Sequence, residues 1–115
     1  MNSVSLIGNL TTDVDVKELG RDRTVASFVV AVDRPGREGG ADYIRVAAWN
    51  RQAEACARLL EKGGSIGIHG RLRSRSWQDD DGQRRSAVEV VAHQVEFLVS
   101  TRRAGSVTRS EAAMA

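Results

Sequence analysis

Two stretches in the second half of the sequence constrain the fold more than any others. Residues 65 to 78 (SIGIHGRLRSRSWQ) alternate along their length, and after the turn sequence DDDGQ the chain runs on through residues 84 to 99 (RRSAVEVVAHQVEFLV). Strands of this length are more than twice the usual five or six residues, and a twisted sheet cannot hold them flat. Gly67 and Gly70 lie inside the first, where glycine marks sharp bending. In the second, the apolar phase changes between Val90 and Val91, from even positions (Val88, Val90) to odd ones (Val91, Val95, Phe97), as a bulge requires. Long bent strands of this kind can close a barrel.

The rest of the chain supplies the other walls. Residues 3 to 10 place Val4, Leu6, Gly8 and Leu10 on one alternating face, with a weaker alternation at Val14 and Val16. Residues 24 to 33 (TVASFVVAVD) are β-branched and apolar on both faces, which predicts a central strand covered on both sides. Arg34 to Ala41 holds the only proline and three glycines, favouring a mobile loop, and a third strand follows from Asp42 to Trp49. Asn50 is a suitable N-cap for a short helix with Ala53, Cys56, Ala57 and Leu60 on its apolar face, stopped by Gly63 and Gly64. Glu54 near its start and Lys62 near its end agree with the helix dipole. Three strands, a helix and two long bent strands make a mainly β chain with the element order of an OB-fold, a five-stranded Greek-key barrel with one helix between strands three and four. The domain is expected over residues 1–100, and residues 101–115, with three Arg against one Glu and no hydrophobic periodicity, read as a short basic, disordered tail.

Composition narrows the function classes. One domain of 115 residues can bury a single core, and a lone cysteine, Cys56, excludes a disulfide framework or a cysteine-based zinc site within the chain. No apolar run approaches the ~20 residues that span a bilayer, and the first ten residues lack a signal peptide's basic start, so a cytoplasmic protein is expected. The basic residues are 15 Arg and only 2 Lys. Arginine forks onto phosphate and stacks on rings, which suits nucleic acid, although GC-rich coding produces the same enrichment. Position must decide between the two.

Alternation does so. In the fourth strand Ile66, Ile68 and Leu72 take even positions toward the core, leaving His69, Arg71, Arg73, Arg75 and Trp77 on the outer face. In the third, Ile44, Val46 and Ala48 face inward, and Tyr43, Arg45 and Trp49 outward. Three of only five aromatic residues are thus turned away from the core and interleaved with arginine. Rings beside cations suit single-stranded nucleic acid, where each stacked base contributes ~1 to 3 kcal/mol and arginine neutralises the backbone. Each residue also has a plainer reading: Trp49 packing beneath the helix, Tyr43 in a subunit interface, Trp77 covering its own turn, the arginine row guarding an edge against aggregation. A common binding face accounts for all of them together. Arg34 and Arg84, at the ends of the loop and the last hairpin, complete the expected basic set.

Other motifs carry little chemistry. Asp79, Asp80 and Asp81 before Gly82 read as a solvated hairpin loop, because calcium loops space their ligands. His69 and His93 lack metal-ligand spacing, and Cys56 on an apolar helical face reads as a buried thiol. No phosphate-cradling GxxxxGK[ST] loop occurs. Neither enzyme activity nor a cofactor or metal is expected.

The stretches NSVSLIGNLTTDVDVK, TVASFVVAVDR, YIRVAAWNRQAEACARLLEKGGSIGIHGRLRSRSW and DGQRRSAVEV make the chain, over about residues 2 to 99, similar to the bacterial single-stranded DNA-binding proteins. The resemblance implies an OB-fold that coats single-stranded DNA without sequence preference during replication, recombination or repair, as a homotetramer. Tyr43 matches a family stacking position usually filled by Trp, Trp49 one often filled by Phe, and Trp77 the aromatic after the Leu-Arg-x-Arg segment. Arg45, Arg73 and Arg75 match basic positions that contact the backbone. Two departures stand out. The loop from Arg34 to Asp42 has no tryptophan, so a fourth stacking platform known in some members is not expected. The family's acidic tip, which recruits other DNA-processing proteins, has no counterpart in the basic residues 100 to 115, which puts that recruitment in doubt. Two rival functions fit an OB domain with such a face: a protein-interaction module of the primosome-adaptor kind, and RNA binding, since the groove does not itself select the sugar.

Overall fold

Each run of alternating apolar residues becomes a strand in the computed structural model, which describes residues 1–36 and 39–98. The elements are β1 (Val4–Leu10), β2 (Asp15–Glu18), β3 (Thr24–Asp33), β4 (Ala41–Trp49), α1 (Arg51–Leu59), β5 (Ser65–Gln78) and β6 (Arg84–Leu98). The strands pair in the order β1, β5, β6, β4, β3, β2, and β1 also pairs with β3 through Asn9–Ala31 and Leu10–Val30. That last contact closes a ring of five strands, the expected OB topology, with α1 between β4 and β5. Of the weak alternation, Val16 belongs to a strand of its own and Val14 lies just before it, packed against the core: β2 is a sixth, fully exposed strand that among the described residues pairs only with β3 and lies outside the ring. The expected tail, 101–115, and the domain's last two residues lie outside the described residues.

The inward positions of every strand meet in one core that includes Leu10, Phe28, Val30, Val46, Ile66, Ile68 and Val90, each at most 3% exposed. Ala26, Ala48 and Ala92 form a row across β3, β4 and β6, the strands against which α1 mainly packs. Small side chains there let the helix sit close, and it buries Ala53 and Cys56 completely. Burial pushes the Cys56 thiol up to about 11, so it stays protonated at neutral pH. Ala57, expected on the same apolar face, is exposed, because the helix meets the sheet through Ala53 and Cys56 and leaves Ala57 to one side, and the helix ends at Leu59. Lys62 therefore falls beyond the helix, and Arg58 is the basic residue of its last turn. Asn50 makes no side-chain cap. Its Oδ1 accepts from the Thr24 amide at 3.0 Å and its own amide donates to the Thr24 carbonyl at 2.7 Å, tying the start of β3 to the β4–α1 corner.

Two glycines mark where the ring closes. A Cβ on Gly8 would lie 2.3 Å from the Ala31 carbonyl oxygen, where β1 passes from β5 to β3. A Cβ on Gly70 would lie 2.0 Å from the Val91 carbonyl oxygen. Beside Gly70 the β5–β6 ladder slips: His69 pairs with Gln94 but Gly70 with Ala92, leaving His93 as the extra residue. The bulge therefore sits at His93 and not between Val90 and Val91. Val90 and Ala92 both face the core, and the inward phase resumes at Val95.

Past Gly70, β5 has no flanking strand, since its last β1 partner is Val4 opposite Gly70. β6 likewise leaves β4 beyond Val90. The two strands continue as a two-stranded arm. Leu72, expected in the core, is 46% exposed there, because no second layer covers its side of the arm. The Asn2 side chain grips the Leu72 amide and carbonyl, both at 2.8 Å, in place of a neighbouring strand. Among the described residues no helix is long and apolar enough to cross a membrane.

Candidate nucleic-acid interface

The pairing Arg71–Val91–Ala47 across β5, β6 and β4 places the odd residues of β5 and β4 on one side of the sheet, the side away from the core. Tyr43, Arg45 and Trp49 thus share a face with Arg71, Arg73, Arg75 and Trp77. The closest link between the two rows is the Arg73 guanidinium, which lies 5.9 Å from the centre of the Trp49 ring. Arg75 stands 5.0 Å over Trp77 farther out on the arm. Both separations are within cation–π range.

The three rings differ in availability. Tyr43 is 69% exposed and Trp77 41%, whereas Trp49 is half-buried and has a second guanidinium, Arg23, at 5.4 Å. Arg23 comes from the turn before β3, where no periodicity points to it.

The arginines differ as well. Among the described residues Arg45, Arg71 and Arg75 have no carboxylate within ion-pair reach. Arg73 is bridged to Glu89, its direct cross-strand neighbour, whose side chain is only 5% exposed. Alternation within β5 gives no hint of Glu89, although its odd position opposite Arg73 follows once the hairpin register is counted back from the DDDGQ turn. Arg34 pairs with Asp42 at 2.8 Å, and Asp42 lies opposite the core-side Val32, so Arg34 belongs to the barrel rim. Arg84 pairs with Gln78 on the opposite side of the arm from Trp77 and donates to the Ser76 hydroxyl at 3.2 Å. The structure therefore brings Arg34 and Arg84 near the face without placing them on it.

The acidic turn is more organised than a solvated loop. Asp79 Oδ1 accepts from the amides of Asp81 at 3.0 Å and Gln83 at 2.9 Å, while Oδ2 accepts from Arg85 Nε at 2.8 Å. Chiefly the Arg85 bond, then the Gln83 amide, hold the Asp79 carboxyl below its ordinary value. Gly82, at φ 80°, supplies the left-handed residue that closes the turn. Among the described residues no group of three or more His, Cys, Asp or Glu is placed to hold a metal ion.

Comparison with known proteins agrees with this geometry. The model of the single-strand binding protein family matches residues 1–98. The chain is 44% identical over 102 residues to single-stranded DNA-binding protein 3 of Clostridium acetobutylicum, covering 85% of this chain and 71% of that protein. It is 47% identical over 102 residues to the single-stranded DNA-binding protein of Clostridium tetani, covering 85% and 70% respectively. Single-stranded DNA-binding protein 1 of Clostridium acetobutylicum is 39% identical over 111 residues, covering 90% of this chain and 99% of its own length.

Proposed function

The chain belongs to the single-strand binding protein family, and from that premise we propose that it coats single-stranded DNA without sequence preference, sheltering it during replication, recombination or repair. The observation that carries this reading is the meeting of two aromatic and arginine rows, from β4 and β5, on one outward face. Bases stack on Tyr43, Trp77 and the accessible part of Trp49, and the unpaired Arg45, Arg71 and Arg75 neutralise phosphates alongside them. Arg34 and Arg84 act from the margins, through the long-range field. Stacking supplies affinity that salt does not screen. Each phosphate neutralised adds ~0.7 decade of salt dependence per decade of salt.

Titration of the intrinsic tryptophan fluorescence with oligo-dT, at low and moderate salt and against duplex of equal length, tests the reading. Strong quenching by the single strand, weak response to duplex and partial reversal by salt are expected. Equal response to duplex, or no binding, would overturn it, and an equal affinity for oligo-U would move the substrate to RNA.

The reading extends to a homo-oligomer, the homotetramer of the family. From Val4 to Gly8, β1 pairs only with β5 among the described residues, leaving a strand edge open for a second copy. On the outer side of that edge Ile7 is 69% exposed beside a groove lined by Ser5, His69, Gln94 and Glu96. Light scattering checks the mass, and Ile7→Glu should lower it.

A further inference from the structure

Among the described residues Glu89 is the only polar or charged one that is buried, at 4% exposure, and it sits on the outward face with the arginines. A carboxylate is an unexpected occupant of a surface that meets phosphates. Being nearly dry, it requires a partner, since a buried charge left unpaired is the costly case for an ion pair. Arg73 provides it, Nη2 donating to Glu89 Oε2. The Arg73 Nε is buried with no hydrogen-bond partner, so the side chain lies down against the sheet, with its guanidinium between Glu89 and the Trp49 ring. Among the described residues Arg75, two residues on, meets no carboxylate, and it stands over the exposed Trp77.

Resting on the single-stranded DNA reading above, we propose that Glu89 is a masking carboxylate: it holds Arg73 against Trp49, withholds that cation from phosphate, and keeps the face's affinity below what its arginines would otherwise provide. A phosphate that drew Arg73 off Glu89 would strand that carboxylate in a dry site, and while the bridge holds Glu89 offsets the guanidinium's charge toward an incoming phosphate. Phosphates therefore go to Arg45, Arg71 and Arg75, and Arg73 serves as a positioning residue for the Trp49 ring. The consequence is a surface whose grip is moderated from within, as a coat that must later be displaced requires.

The test compares the salt dependence of oligo-dT binding in three proteins. Glu89→Gln keeps the shape and removes the charge, and it should bind more tightly with a slope steeper by ~0.7 decade per decade, one phosphate's contribution. The double variant Glu89→Gln with Arg73→Met removes both charges and should return to the slope of the native protein. A Glu89→Gln slope that is unchanged or shallower, or a double variant whose slope falls below native by ~0.7, would overturn the proposal, because Arg73 would then be a phosphate contact already. Should either variant fail to fold, the native protein decides the matter. On adding oligo-dT, the Arg75 guanidinium resonances should shift while those of Arg73 stay nearly fixed, and equal shifts refute masking. If the native protein does not bind oligo-dT at all, the functional reading fails and masking falls with it. Failure of masking alone is seen only in proteins that do bind.

Discussion

Two arginine–tryptophan pairs lie on one face of this protein and behave as different devices. Arg73 over Trp49 and Arg75 over Trp77 have similar ring separations, 5.9 and 5.0 Å, and their arginines are two residues apart on one strand. The inner pair sits where β6 supplies the nearly buried Glu89 and the turn before β3 supplies Arg23, so its cation is neutralised and its ring half-covered. The outer pair stands farther out on the arm, where the residue opposite Arg75 is Ala87, the cation has no carboxylate among the described residues and the ring is 41% exposed. On the proposed function, identical side-chain chemistry becomes mainly scaffold in one place and ligand platform in the other. The neighbours decide which: Glu89 and Arg23 join the inner pair, while Ala87 stands opposite Arg75.

Four experiments break or sharpen that contrast, taken from the largest expected effect. Gly70→Ala puts a Cβ 2.0 Å from the Val91 carbonyl oxygen, at the bulge between the ring and the arm. The backbone must move, and a loss of about 3 kcal/mol in urea denaturation is expected, with both regions losing their geometry. An unaltered midpoint would mean the bulge does not separate them. Trp77→Ala should next weaken oligo-dT binding about 5- to 150-fold, the range for one stacked base, with little change in salt slope. Trp49→Ala should lower thermal stability as well, because its ring packs against two guanidiniums. If the two variants behave alike in both assays, the distinction between scaffold and platform is lost.

Arg75→Ala follows, with an expected fall of ~0.7 in the salt slope and a small loss of affinity at high salt. The smallest effect belongs to Asp79, whose carboxyl is held below its usual value mainly by Arg85. A depressed carboxylate adds stability at pH above its unfolded value of 3.8, and that stability disappears as pH falls through the lower folded value. Asp79→Asn should therefore melt slightly lower than the native protein at pH 5 and merge with it toward pH 2. A gap that persists in acid would assign the turn's order to its backbone bonds alone.

Much of the proposed binding face is legible in the order of the residues. The parity of Tyr43, Arg45 and Trp49, and of Arg71, Arg73, Arg75 and Trp77, follows from the two-residue period of a strand, and the pairing of β4, β5 and β6 turns all seven outward. The same rule fails at Leu72. Its parity is inward, but alternation cannot report that the strand has left the barrel and that nothing lies beneath it. The apolar phase misplaces the bulge by two or three residues because Val90, Val91 and Ala92 are all apolar, and Val91 is buried on the outer side, next to Ala47. Charge groups Arg84 with the site, although its own parity turns it to the other side of the arm.

What can be known from the chain of residues is therefore local: which of them alternate, where glycine must admit a neighbouring backbone, and that rings and arginines leave the core together. These follow from the geometry of one strand and need no knowledge of its neighbours. The partners are a matter of tertiary structure. Arg73 meets Glu89, and Arg75 stands opposite Ala87, through the register of the β5–β6 hairpin, whereas Arg23 and Arg73 meet over Trp49 because β3, β4 and β5 are brought together through β6. A charge's availability depends on what lies within a few ångströms of it, and that distance is set by strand pairing and register.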